Sequence, residues 1–363
     1  LNSQNFMRNF ILSKKRYFVY FFLFFPFIAE GEPGDLIEYN YQESFDLTAI
    51  EIGLAIVGGL GFATPEYTIS CYDIKYESEN SEGNLDTLSG LVVIPNSVTQ
   101  AFPILSYQRG TGILDIEAPS ISGLSLSNLE VFLVGYLATS SGFITLIPDY
   151  VGLGNPNIYH PYHIKDSYIR AVVDMIRAAK QLSKFLPIEN SFQNNDQVFL
   201  AGYSEGGYAT LAAQSGIESN YNEEITITAS FPMAGAYDLA GTMVDYFLSE
   251  PQYENPYYVP YVLTSHIWYY QGLNTDLNMY FEPYWAENLP ILYNGTFSGS
   301  QINNLLPDNV LDILKDSVLT DFTNNEDQFL RQTLSQNTLL DWVPDSPTSV
   351  SYTHLRAHET RYD

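Results

Sequence analysis

Val198-Phe199-Leu200-Ala201-Gly202-Tyr203-Ser204-Glu205-Gly206-Gly207 decides the fold of this 363-residue chain. Val198 to Ala201 reads as an apolar strand, Gly202 to Gly206 as a tight turn, and Gly207 to Ala213 as the helix that follows. A serine between strand and helix, with glycine two positions away on either side, is the G-x-S-x-G elbow. Side chains at 202 and 206 would collide where the strand and helix backbones converge, which accounts for both glycines. The helix would point its free N–H groups and positive dipole end at an anion beside Ser204. Ser204 is therefore the candidate nucleophile, the alternative being a serine that only makes a turn.

Upstream of the elbow, short apolar strands (102–107, 143–147) alternate with helical segments around 128–140 and 166–184. In the second helix Ile169, Val172, Val173, Ile176, Ala179 and Leu182 form one apolar stripe. Strands alternating with helices predict an α/β fold whose mostly parallel sheet is covered on both faces. Residues 67–76 and 85–94, joined by a turn-forming run, predict an antiparallel pair at the sheet edge. A helix is expected over 47–60. Beyond the elbow helix the pattern predicts one more strand, 225–231, before the alternation stops.

Residues 239–340 are rich in Tyr, Asn and Pro and read as a mostly helical cap inserted into the core of residues 32–238, to which 341–349 return. Within it Leu311, Leu314, Val318 and Phe322 mark a helix starting near Pro307-Asp308. Its aromatics Trp268, Tyr269, Tyr270, Tyr280, Phe281 and Trp285 suit either the wall of an apolar pocket or the cap's own core.

A net charge of −27 and the lack of a basic cluster outside the N-terminus argue against nucleic acid or an anionic membrane surface as partner. The single cysteine, Cys71, lies in a strand-like run and reads as a small buried hydrophobe. No zinc-binding helix motif, phosphate loop or dinucleotide fingerprint is present, so neither metal nor organic cofactor is expected. From Met7, basic residues precede the apolar run Tyr17 to Ile28 and then Ala29-Glu30-Gly31; residues 7–31 read as a signal peptide, placing the protein outside the cytoplasm, secreted or periplasmic. Residues 350–363 resemble translated sequencing adapter and are expected to be an artefact replacing the natural end.

A serine hydroxyl needs a base, a carboxylate to orient that base, and donors for the oxyanion. Behind Ser204 and ahead of the adapter-like tail only His266 remains, inside the cap, where a packing role is the expectation. His160 and His163, in His160-Pro161-Tyr162-His163, read as loop residues near the pocket mouth.

Gly90-Leu91-Val92-Val93-Ile94-Pro95, Ser106-Tyr107-Gln108-Arg109-Gly110-Thr111, Pro148-Asp149-Tyr150-Val151-Gly152-Leu153-Gly154 with His160-Pro161-Tyr162, and the elbow together resemble the secretory lipase family of α/β-hydrolases. The similarity spans roughly 67–347 and is weakest in the cap. It implies a serine carboxylic-ester hydrolase with a small-molecule ester or lipid substrate, an acyl-enzyme on Ser204 and transient contact with a lipid interface. It also implies main-chain oxyanion donors at Asp149 and Glu205. The chain departs from the family at Arg109, where many relatives carry histidine. The resemblance places the triad acid and histidine after Asp341-Trp342-Val343-Pro344-Asp345-Ser346-Pro347, where the adapter-like tail begins. The last strand and helix, and with them most of the activity, are then expected to be missing. The same scaffold could instead serve peptides or acylated sugars, or be a noncatalytic hydrolase-fold binding protein.

Overall fold

The computed structural model of the chain describes residues 31–351, apart from 59–60, 63, 81, 155–158 and 250–254. Residues 7–30 of the expected signal peptide and most of the adapter-like tail lie outside these residues.

Among the described residues seven strands form one sheet: β1 (Leu36–Phe45), β2 (Ile69–Glu79), β3 (Leu85–Pro95), β4 (Ala101–Gln108), β5 (Ile144–Pro148), β6 (Gln193–Tyr203) and β7 (Ile227–Met233). Their spatial order is β1-β2-β3-β5-β4-β6-β7. The first four in that order pair antiparallel, and β5, β4, β6 and β7 run parallel. The β2–β3 pair lies inside the sheet rather than at its edge, because β1 covers β2. The sequence reading missed that strand: in LIEYNYQESF the alternating Ile37, Tyr39 and Tyr41 make only a short pattern, and they stay largely exposed rather than joining the core.

Helices α1 (Leu47–Ile56), α2 (Pro119–Ser122), α3 (Leu129–Ser140), α4 (Lys165–Phe185) and α5 (Glu205–Gly216) surround the sheet. Asp46 caps α1 by accepting from the Ala49 N–H at 2.8 Å, and Asn128 caps α3. Successive residues of each strand face opposite ways, so Tyr72, Ile74, Val92 and Ile94 pack with the apolar stripe of α4, whereas Ile69, Cys71, Leu91 and Val93 pack with α1 and α3. Cys71 is fully buried there, and burial pushes its thiol well above the usual range.

After β7 the chain becomes helical: α6 (Val244–Ser249), α7 (Tyr258–Gln271), α8 (Pro283–Leu292), α9 (Gly299–Asn303), α10 (Asp316–Asn324) and α11 (Phe329–Gln336). The single helix expected from Pro307 is broken in two. Leu314 pairs with Phe281 in an isolated bridge, and the Lys315 N–H goes to the Tyr280 carbonyl at 3.0 Å, so tertiary bonds replace helical ones there. The chain then returns beside β7, where the Ser349 N–H bonds Ser230 O at 3.0 Å and the Ala234 N–H bonds Ser351 O at 2.7 Å. Ser351, in the adapter-like run, is thus paired through backbone groups, which any side chain permits.

Candidate active site

Ser204 sits between the end of β6 and the first turn of α5 with φ 59° and ψ −119°. A non-glycine residue at positive φ costs on the order of 1–3 kcal/mol, so the surroundings must hold it. The Ser204 N–H bonds Met233 O at 2.9 Å and its carbonyl accepts from the Tyr208 N–H at 3.2 Å. A Cβ at Gly202 would overlap the Gly206 carbonyl, one at Gly206 the Gln108 carbonyl, and one at Gly207 the Met233 carbonyl. The elbow therefore needs three glycines; the sequence reading accounts for two.

Ser204 opens into a cavity of about 330 Å³ whose walls are mostly apolar side chains contributed after β7, among them Met243, Val262, Leu263, Phe322 and Leu334. Of the six cap aromatics singled out in the sequence, none lines this space. Phe281 is fully buried in an apolar cluster, and Trp268 packs edge-on against Tyr159 beside a separate cavity.

Glu205, the first residue of α5, carries its N–H among those a helix start leaves without an intrahelical partner. Its carboxylate is buried: Oε1 accepts from the Tyr168 hydroxyl at 2.8 Å and lies 2.9 Å from His160 Nε2. Burial opposes its ionisation, but the His160 bond and charge, together with the nearby Arg109, hold its pKa below the usual carboxylate value. His160 Nδ1 lies 2.7 Å from Val151 O. A carbonyl only accepts, so Nδ1 is the donor of that contact, and Nε2 faces the Glu205 carboxylate. The sequence reading missed this pair, 45 residues apart.

Asp149 requires a correction. Its N–H, expected as an oxyanion donor, is bonded to Ser89 O at 3.0 Å, because the antiparallel β3–β5 ladder continues one residue beyond Pro148. The side chain accepts from Ser89 Oγ at 2.6 Å, from the Ser120 N–H at 2.8 Å and from Ser120 Oγ. Burial raises its pKa against those bonds. Asp149 ties β3, β5 and α2 together. The Gly110 N–H is likewise spent, on Glu130 at 3.0 Å.

Among the described residues no histidine is hydrogen-bonded to Ser204. His160 is engaged as above. His266 is fully buried, 3.0 Å from Thr333 Oγ1 through Nδ1, and burial lowers its pKa to about 3. His163 shares the cavity with Ser204; both of its ring nitrogens are buried without a partner, and burial lowers its pKa to about 4. Among the described residues no group of three or more His, Cys, Asp or Glu is placed to hold a metal ion.

The secretory lipase family model matches residues 117–245, the stretch from α2 through the elbow into α6. A ligand-bound form of the rice cell wall degrading esterase LipA from Xanthomonas oryzae aligns with a TM-score of 0.77 at 25% identity, over 88% of this chain and 83% of LipA. Candida antarctica lipase A in its closed state aligns with a TM-score of 0.64 at 19% identity, over 89% of this chain and 70% of the lipase. No curated protein matches. These similarities support an ester hydrolase acting on a small-molecule ester or lipid. The chain thus carries the α/β-hydrolase fold of esterases and lipases and, over residues 117–245, the sequence pattern of the secretory lipases.

Proposed function

We propose that the protein is an exported serine ester hydrolase working through an acyl-enzyme on Ser204, with residues 239–340 as a cap over a core of residues 32–238 and 341–349. The observation that carries this reading is Ser204 itself: a strained serine at a strand-to-helix turn, at the head of an apolar cavity. Ser204 Oγ attacks the ester carbonyl, and the tetrahedral oxyanion is met by the Glu205 N–H at the positive end of α5. Collapse expels the alcohol and leaves the acyl chain among the cap side chains until water releases it. The Asp149 N–H has no part in this. The end of β4 and the residue after it border the same site, with the Gln108 and Arg109 carbonyls lying against Gly206.

Neither His160 nor His266 serves Ser204 as base, since both are engaged elsewhere. The one observation favouring another choice is His163, with two unpartnered nitrogens in the same cavity. An acylated polysaccharide is the second substrate class, because LipA is described as degrading the rice cell wall. A fluorophosphonate ester should label Ser204 alone, and Ser204→Ala should abolish labelling and p-nitrophenyl acetate hydrolysis while leaving the thermal transition in place. Labelling elsewhere, or undiminished hydrolysis by the alanine variant, refutes the assignment.

A further inference from the structure

A carboxylate one residue after a nucleophilic serine stands where negative charge develops during ester attack, and an uncompensated charge there opposes the reaction. Yet Glu205 is almost wholly buried. What accompanies it is a built cluster. His160 reaches Oε1 through Nε2, and Tyr168 donates to the same oxygen while its hydroxyl accepts the His163 N–H at 3.1 Å. The His160 ring is stacked on Tyr150 at 5.9 Å with 20° between planes, and Val151 O fixes its far nitrogen. Tyr150 donates to Arg109 O at 2.9 Å, tying the loop that carries His160 to the segment lying against the elbow. Tyr150, His163 and Ser204 all have positive φ, so three strained backbones surround one carboxylate.

We infer that His160 and Tyr168 are positioning residues for ester hydrolysis: they fix the Glu205 peptide, whose N–H meets the oxyanion, and His160 supplies the proton that neutralises the adjacent carboxylate. This rests on the reading of Ser204 as nucleophile. His160 does not touch the reacting atoms; it acts through Glu205. A ring turned about would place C–H groups against Val151 O and Glu205, so orientation and protonation are fixed together.

The test compares His160→Gln, Glu205→Gln, the double variant and Tyr168→Phe in the full chain. Each is read by kcat and KM for p-nitrophenyl acetate, by the rate of Ser204 phosphonylation, and by thermal melting. His160→Gln should lower kcat and phosphonylation about 10–100-fold with KM within about threefold, since a neutral amide removes the proton held at Oε1 and leaves only the more distant Arg109 to offset the carboxylate. Glu205→Gln should cost less than about fivefold, because its amide oxygen still accepts from Tyr168. The double variant should recover at least about tenfold over His160→Gln, since no charge remains to be balanced. A purely structural His160 would give a double variant no faster than His160→Gln, which overturns the inference. Wild-type rates in His160→Gln alongside an inactive Ser204→Ala overturn it too, leaving the nucleophile standing; full activity in Ser204→Ala overturns the nucleophile itself. Should His160→Gln fail to fold, Tyr168→Phe decides: a kcat loss of about 3–10-fold with an unchanged melting curve supports the inference, and wild-type kcat refutes it.

Discussion

Asp149 and Ser89, 60 residues apart, are bonded twice: the Asp149 N–H to the Ser89 carbonyl at 3.0 Å, and Ser89 Oγ to the Asp149 carboxylate at 2.6 Å. With its donor spent on the ladder, Asp149 serves the sheet. Asp149→Asn should therefore destabilise the protein by about 1–3 kcal/mol, since one amide cannot accept all the bonds the carboxylate accepts. The kcat of the folded variant should stay within about threefold of wild type. Urea unfolding with steady-state kinetics checks this, and a large kcat loss at unchanged stability would return Asp149 to the oxyanion site.

Gly206→Ala should abolish folding or cost more than about 4 kcal/mol, because its Cβ would meet the rigid Gln108 carbonyl. Gly58→Ala, at φ 70° with open space around it, should cost only about 1–2 kcal/mol. Soluble yield and chemical denaturation separate the two.

Val262 and Leu263 face the cavity that Ser204 opens into. If that space receives the acyl chain, Val262→Trp should shift preference towards short chains, lowering the octanoate-to-acetate ratio of kcat/KM at least about tenfold. An unchanged ratio would place the acyl chain elsewhere.

His163 and His266 are both buried and held neutral, at about 4 and about 3 against 6.5 in the open chain. Folded-state values below the unfolded one leave stability intact above pH 6.5 and remove it as the pH falls from there towards 4. By pH 4 His163 alone should cost about 3 kcal/mol. A His163→Gln variant should lose stability less steeply over that window than wild type, as measured by denaturant midpoints at pH 8, 6, 5 and 4. Parallel curves would contradict the assignment.

Export is the remaining expectation. The apolar run Tyr17 to Ile28 followed by Ala29-Glu30-Gly31 predicts a mature N-terminus near Gly31, and mass spectrometry of the exported protein is the measurement. A soluble cytoplasmic product retaining residues 7–31 contradicts it. Among the described residues no helix is long and apolar enough to cross a membrane.

The parallel half of the sheet, α3, α4 and the elbow were legible because each carries a strong local signal: apolar runs, a helical stripe, glycines at fixed spacing. β1 was not, since its alternating Ile37, Tyr39 and Tyr41 stay exposed and no buried apolar run marks the strand. Nor was the spent donor of Asp149, which depends on β3 lying antiparallel beside β5, a pairing no residue of either strand announces. The strand-turn-helix geometry at Ser204 could be read from its neighbours. The His160–Glu205 pair could not, because the loop around His160-Pro161-Tyr162-His163 has no period, and only the closed fold brings it under the elbow.

The backbone of Ser204 has a further consequence. Its φ of 59° with ψ −119° is a conformation that glycine enters freely and an L-residue enters at a cost. Ser204→Gly should thus make the protein more stable than wild type by about 1 kcal/mol while removing the hydroxyl altogether. On the reading of Ser204 as nucleophile, stability and chemistry pull this one position in opposite directions, and in a lineage released from selection for catalysis serine would be among the first residues of the elbow to drift, with glycine as its destination.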